Sequence, residues 1–161
     1  MTLGPPMHPN CAAVNAILEA AGLRGRVRIL AEPAPTAVAA AELLGVDVGA
    51  IANSLIFATA EHKPLLVLTS GAHRVNTQKV ALLVGTEKVS RASAEFVYAA
   101  TGQRIGGVAP VGHPQQIRTL VDKELAAYPQ VWAAGGVPHA IFPTTFDELV
   151  ALTGGEPADV G

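Results

Sequence analysis

The chain has 161 residues, enough for one domain with a buried core. Half of the residues are hydrophobic and 15% are charged, which excludes a disordered chain. The net charge of −2 argues against a protein that coats nucleic acid nonspecifically, while leaving room for a local basic patch.

In chain order, Pro9 to Ala21 is expected as an opening helix, because Val14, Ile17, Leu18 and Ala21 recur at spacings of three and four. Gly22 ends it. Val27 to Leu30 is a short strand candidate. Thr36 is placed to cap a helix over Ala37 to Leu44, with Gly45 as its stop. Ala50 to Thr59 and Pro64 to Thr69 are apolar runs of strand length around a polar tetrapeptide, which predicts a hairpin. Asn76 caps a helix through Leu83, stopped near Gly85; Ser93 caps another through Ala100, stopped by Gly102. Ile117 to Val121, Val131 to Ala133 and Ala140 to Phe142 are expected as strands. Thr145 and Glu148 have the spacing of a capping box, opening a helix that ends at Gly154. The tail from Gly155 to Gly161 is expected to fray. Strands and helices mix without regular βαβ alternation. One α/β (α+β mixed) domain over residues 1–161, with a core of about 9–153, is therefore expected.

Among these elements lies Ile105-Gly106-Gly107-Val108-Ala109-Pro110-Val111-Gly112-His113-Pro114, dense in glycine and proline. Glycine lets a ligand approach the main chain, and free N–H groups in such a loop can face a carbonyl or phosphate oxygen. A plain turn between strands would use the same residues. His113 has a pKa range suited to proton transfer, although a loop histidine also serves to pack or bind water. Arg24, Arg26 and Arg28 form one candidate basic cluster; Arg74, Lys79, Lys88 and Arg91 form another. The spacings of a zinc site, a nucleophile elbow, a P-loop and a dinucleotide fingerprint are all missing, so neither a metal nor a cofactor is expected. No apolar run approaches the ~20 residues of a membrane span. Residues 1–6 lack the pattern of a secretory signal, and Cys11 is the only cysteine. A cytoplasmic protein is the expectation.

Four segments in this order carry a family resemblance: Ile51-Ala52-Asn53-Ser54-Leu55-Ile56-Phe57, Asn76-Thr77-Gln78-Lys79-Val80, the glycine loop, and Val131-Trp132-Ala133-Ala134-Gly135-Gly136. The chain resembles the YbaK / prolyl-tRNA-synthetase-associated domain family over roughly Pro9 to Thr153. The resemblance implies a strongly curved mixed sheet surrounded by helices, and trans-editing: hydrolysis of the ester of a mischarged aminoacyl-tRNA, often tRNA(Pro) carrying a small amino acid. It implies a catalytic group of Asn53, Gly106 and Gly107. Substrate contacts would come from Ser54, Ala109, Pro110, His113, Ala134 and His139, and tRNA contacts from Arg74 and Lys79. The implied partners are the acceptor end of aminoacyl-tRNA and prolyl-tRNA synthetase, with no role for membrane or DNA. At position 53 most catalytic members of the family carry a lysine, and an amide offers weaker donors than an ammonium. The substrate's own hydroxyl or amino group can assist its hydrolysis, because orientation alone supplies several kcal/mol. A tRNA- or aminoacyl-ligand-binding protein that lost catalysis with the lysine is the alternative, and a small interaction module without a ligand site is a third.

Overall fold

The computed structural model describes residues 7–161; the sequence reading of residues 1–6 lies outside it. The described residues form five α-helices and an eight-stranded mixed sheet. Helix α1 spans Pro9–Ala20, α2 Ala37–Leu44, α3 Thr77–Val84, α4 Ala94–Thr101 and α5 Phe146–Thr153. Thr36, Asn76, Ser93 and Thr145 each accept a main-chain N–H at the start of α2, α3, α4 and α5. Gly45, Gly85, Gly102 and Gly154 close the same four helices. The α1 cap is His8, whose Nδ1 accepts from Asn10 N–H at 3.0 Å.

The strands are β1 Arg28–Ile29, β2 Ile51–Thr59, β3 Pro64–Ser70, β4 Val89–Arg91, β5 Arg118–Asp122, β6 Val131–Ala134, β7 Ala140–Thr144 and β8 Glu156–Ala158. Their order is β1-β7-β6-β2-β3-β5-β8, with β4 attached to β2. The β2–β3 hairpin is antiparallel; β6 runs parallel to β2, and β5 runs parallel to β3 and β8. The continuous apolar run of β3 follows from its position, since helices cover both sheet faces. Leu66 and Leu68 point into a cluster with Cys11, Val14 and Leu18 of α1, Val97 of α4 and Leu149 of α5. Leu65 and Val67 point the other way, against Val80 and Ala81 of α3. On that second face α2 has its own cluster, Ala40 and Ala41 against Ile51, Trp132 and Ile141. Asn53 and Thr69 lie between these two clusters.

Three expectations need correction. The tail does not fray: β8 pairs in parallel with β5, and the buried Val160 packs in the α3 cluster. A fully buried valine contributes about 1.5–3 kcal/mol, which outweighs the cost of ordering one more residue. Only half of the capping box forms. Glu148 N–H donates to Thr145 Oγ1, while Glu148 Oε1 accepts from Thr144 Oγ1 at 3.0 Å. Strand β1 is shorter than Val27 to Leu30, because it sits at the sheet edge with β7 as its one neighbour.

Candidate active site

Strand β2 has two partial neighbours on one edge. β6 pairs with Ile51 and Ala52, and β4 pairs with Phe57, Ala58 and Thr59. The two diverge, and the stretch between them opens into a cavity of about 590 Å³. Because the cavity wraps a strand edge, side chains from both sheet faces reach it, Asn53 from one and Ser54 from the other. The segment before α2, the loop 105–108 and the turn at Val137-Pro138 supply further walls. Small apolar side chains dominate there, among them Ala52, Ala92, Val97, Ala134 and Ala140.

The polar groups sit on this apolar ground. Among the described residues nothing hydrogen-bonds the half-buried Asn53 amide, so its two N–H donors and its oxygen are available. Arg74 and Arg91 line the same cavity and have no ion-pair partner among the described residues. His73 lines it as well. Its Nδ1 lies 2.9 Å from Asp122 Oδ2, and since a carboxylate only accepts, Nδ1 carries the proton and Nε2 is the free acceptor. Asp122 is buried and saturated with donors. Oδ2 also accepts from Ser70 N–H at 2.9 Å and Thr69 Oγ1 at 3.3 Å, and Oδ1 accepts from Glu124 N–H at 3.0 Å. A buried carboxylate that fixes the tautomer of a cavity histidine is the arrangement by which hydrolases orient a base. By sequence His73 reads as an exposed loop residue. Asp122, 49 positions away, gives no local signal.

The glycine loop reaches the cavity through Ile105, Gly106, Gly107 and Val108. Gly106 has φ +97, a conformation that side-chain-bearing residues rarely adopt. Gly107 is needed for a different close approach from the expected one. A Cβ there would overlap the Val137 main chain and stand 2.6 Å from Pro138 N, so the space is taken by protein rather than kept for a ligand. Gly107 N–H donates to Arg104 O at 3.3 Å. In the stretch of the loop that lines the cavity, the N–H groups of Ile105, Gly106 and Val108 have no partner among the described residues.

Other sequence candidates lie elsewhere. Ala109 is buried, its N–H held by Gln103 Oε1 at 2.7 Å. Pro110 and His113 face a separate concavity beside Ala151 to Gly154, and His113 Nε2 bonds Ala109 O at 2.8 Å. Burial holds the His113 pKa below its ordinary 6.5, although the Ala109 bond pulls the other way. His139 is half-buried outside the cavity lining, its carbonyl accepting from Leu30 N–H. Lys79 turns to the tail and pairs with Asp159 at 3.0 Å. The cluster at Arg24, Arg26 and Arg28 is partly spent on structure: Arg26 holds Leu23 O and Gly25 O, and Arg28 stacks on Trp132. Ala134 and Arg74, like Asn53, Ser54, Gly106 and Gly107, are brought to the cavity. No group of three or more His, Cys, Asp or Glu side chains among the described residues is placed to share a metal ion. No helix among them is long and apolar enough to cross a membrane.

Comparison with known proteins supplies the context for this cavity. Residues 31–152 match the model of the aminoacyl-tRNA editing domain. A protein of Enterococcus faecalis, provisionally named Cys-tRNA(Pro)/Cys-tRNA(Cys) deacylase EbsC, is 25% identical over 125 residues, covering 78% of this chain and 76% of that protein. A proline–tRNA ligase of Limosilactobacillus fermentum is 34% identical over 90 residues; the match covers 53% of this chain and 16% of the ligase. A crystal structure provisionally described as a trans-editing enzyme for prolyl-tRNA synthetase superimposes with a TM-score of 0.88 at 40% identity, covering 96% of this chain and 98% of that one.

Proposed function

We propose, for a chain that belongs to the aminoacyl-tRNA editing domain family, that the cavity at the open edge of β2 hydrolyses the ester of a mischarged aminoacyl-tRNA in trans. The observation that carries this reading is convergence. A free amide (Asn53), a loop stretch with three unpaired N–H groups (Ile105, Gly106 and Val108) and a carboxylate-held histidine (His73) line one cavity with small apolar walls.

In this reading the 3′ end of the tRNA enters past Arg74 and Arg91, whose charge attracts phosphate. His73 Nε2 takes a proton from the water that attacks the ester carbonyl, a water that the vicinal ribose hydroxyl helps to orient. Asn53 Nδ2 and the loop N–H groups stabilise the charge that develops on the carbonyl oxygen. The tetrahedral species collapses, the bond to the ribose oxygen breaks, and that oxygen receives the proton. Donors held in place before the reaction need no reorganisation, so a neutral amide contributes even where a lysine would contribute more.

The relatives' names point to tRNA(Pro) as the substrate, in one case carrying cysteine, and to prolyl-tRNA synthetase as a partner. Apolar walls of alanine and valine fit such a side chain. Size alone discriminates by only about 1–3 kcal/mol per methylene, so the tRNA has to supply part of the selectivity. The setting for such a reaction is the cytoplasm. The test is a deacylation panel, with tRNA(Pro) charged in turn with Ala, Ser, Cys, Thr and Pro and the protein substoichiometric in the presence of EDTA. Repeated turnover of at least one noncognate ester is expected. Protection of every ester would refute catalysis and favour the binding protein that the missing lysine allows.

A further inference from the structure

Strand β2 pairs with β3 along its length but only at intervals on its other edge. Register fixes where each main-chain group points. Gly71 N–H donates to Ile51 O, and Thr59 N–H to Lys63 O, so odd-numbered residues of β2 turn N–H and C=O toward β3. Even-numbered residues turn theirs to the opposite edge. There Ala52 meets Ala133 of β6, and Ile56 O accepts from Ala92 N–H next to β4. Ser54 lies between, and among the described residues Leu68 of β3 is its only ladder partner. Its N–H and C=O therefore face the cavity as one residue's length of open ladder. The Ser54 side chain adds an independent sign. Its Oγ is buried in the cavity wall without a hydrogen-bond partner among the described residues, a state that costs stability unless something else fills it.

Resting on the editing reading above, we infer that Ser54 is the subsite for the amino-acid end of the substrate, which docks as a one-residue strand. In an antiparallel ladder a hydrogen-bonded residue pair exchanges two N–H···O bonds. An aminoacyl ester carries its amino group and its carbonyl on one Cα, the same spacing as a backbone residue. The ester carbonyl oxygen accepts from Ser54 N–H, and the α-ammonium donates to Ser54 C=O and to Oγ. The bonds at Ala52 and Ile56 close the gap at both ends, so a peptide strand is too long for it. Side chains directly opposite in a ladder share a sheet face. An L-amino acid paired with Ser54 thus directs its side chain to the face of Val97 and Val108. This pairing reads the amino-acid backbone and leaves side-chain size to the apolar walls. As the carbonyl carbon becomes tetrahedral its oxygen gains charge, and the bond from Ser54 N–H strengthens.

The test uses the full chain labelled with ¹⁵N and two amide analogues that cannot be hydrolysed as esters, 3′-alanylamido- and 3′-serylamido-3′-deoxyadenosine. The Ser54 amide proton should move downfield on binding, and its exchange with solvent should slow by about tenfold or more, as expected for a new hydrogen bond to a polar ligand. The propionylamido counterpart, which lacks the amino group, should bind about fivefold or more weakly. Ser54→Ala should weaken the alanyl analogue and spare the propionyl one. It should also raise Tm by about 2–4 °C, because the hydroxyl has no partner to lose in the free protein. A serine with a purely structural role would not separate the two analogues. Binding with an unmoved Ser54 amide, or equal affinity for the propionyl compound, overturns the subsite and leaves the editing site standing. Failure of every analogue to bind overturns both.

Discussion

Replacing Asp122 with asparagine tests the tie between the buried network and the cavity. The carboxylate accepts three full hydrogen bonds, from His73 and Ser70 on Oδ2 and from Glu124 on Oδ1, and Oδ2 shares the single Thr69 hydroxyl proton with Ser70 O. An asparagine has one acceptor oxygen. Its better orientation keeps that oxygen among the three donors and turns its NH₂ toward Glu124 N–H, which loses its acceptor. Two charge-assisted bonds then become neutral, at about 1 kcal/mol each, the shared Thr69 contact loses less, and the lost cap costs about 1 kcal/mol more. Asp122 is almost wholly buried, so removing its charge returns part of this as relief of desolvation. The net expectation is a loss of about 2–4 kcal/mol, or roughly 5–12 °C in Tm for a chain of this size. Deacylation measured well below the new Tm should fall by at least about tenfold, since a positioned base supplies 10²–10⁴. His73→Gln should reproduce the loss of rate with a smaller loss of stability, because His73 is partly exposed and Asp122 keeps three donors. Full activity in both variants would refute His73 as the base. An unchanged Tm in Asp122→Asn would refute the stabilising network.

At position 53 the sign of the effect depends on charge. Asn53→Ala removes about one neutral hydrogen bond and should lower kcat/KM by about 3–10-fold, while Asn53→Lys should raise it, each leaving Tm within about 2 °C because the Asn53 side chain bonds nothing among the described residues; a fall in rate with lysine would sink the proposed role of the amide. For His113 the folded pKa lies below the ordinary 6.5 because burial disfavours the charged ring. The unfolded chain takes up the proton first as pH drops, so the stabilisation is complete above about 6.5 and is lost as pH falls toward the folded value. Thermal melts at pH 7.5 and 5.5 should show a larger acid loss for the wild type than for His113→Gln, which stays neutral throughout; equal losses would mean that His113 does not report its burial.

The helices were legible in the sequence because their signals are local. A Ser, Thr or Asn cap, a few apolar residues at helical spacing and a closing glycine all lie within about ten positions, and α2 to α5 begin and end where those residues stand. The hairpin of β2 and β3 was legible for the same reason, and Asn53 and the glycine loop, joined in the sequence by the family resemblance alone, line one cavity. Pairings between distant segments were another matter. Strand β4 is three residues long and exposed over two of them, and it exists because β2 offers it an edge. Strand β8 exists because β5 does, and no local pattern in Glu156-Pro157-Ala158 announces it. The histidine that faces the cavity is fixed by a carboxylate 49 residues further on. Gly107, expected to admit a ligand, instead admits the Val137-Pro138 backbone. The opening at Ser54 follows from where β6 and β4 part, a property of three strands together. Caps, stops and turns answer to their neighbours in sequence; the edge left open, and therefore the site, answers to which strands meet in space.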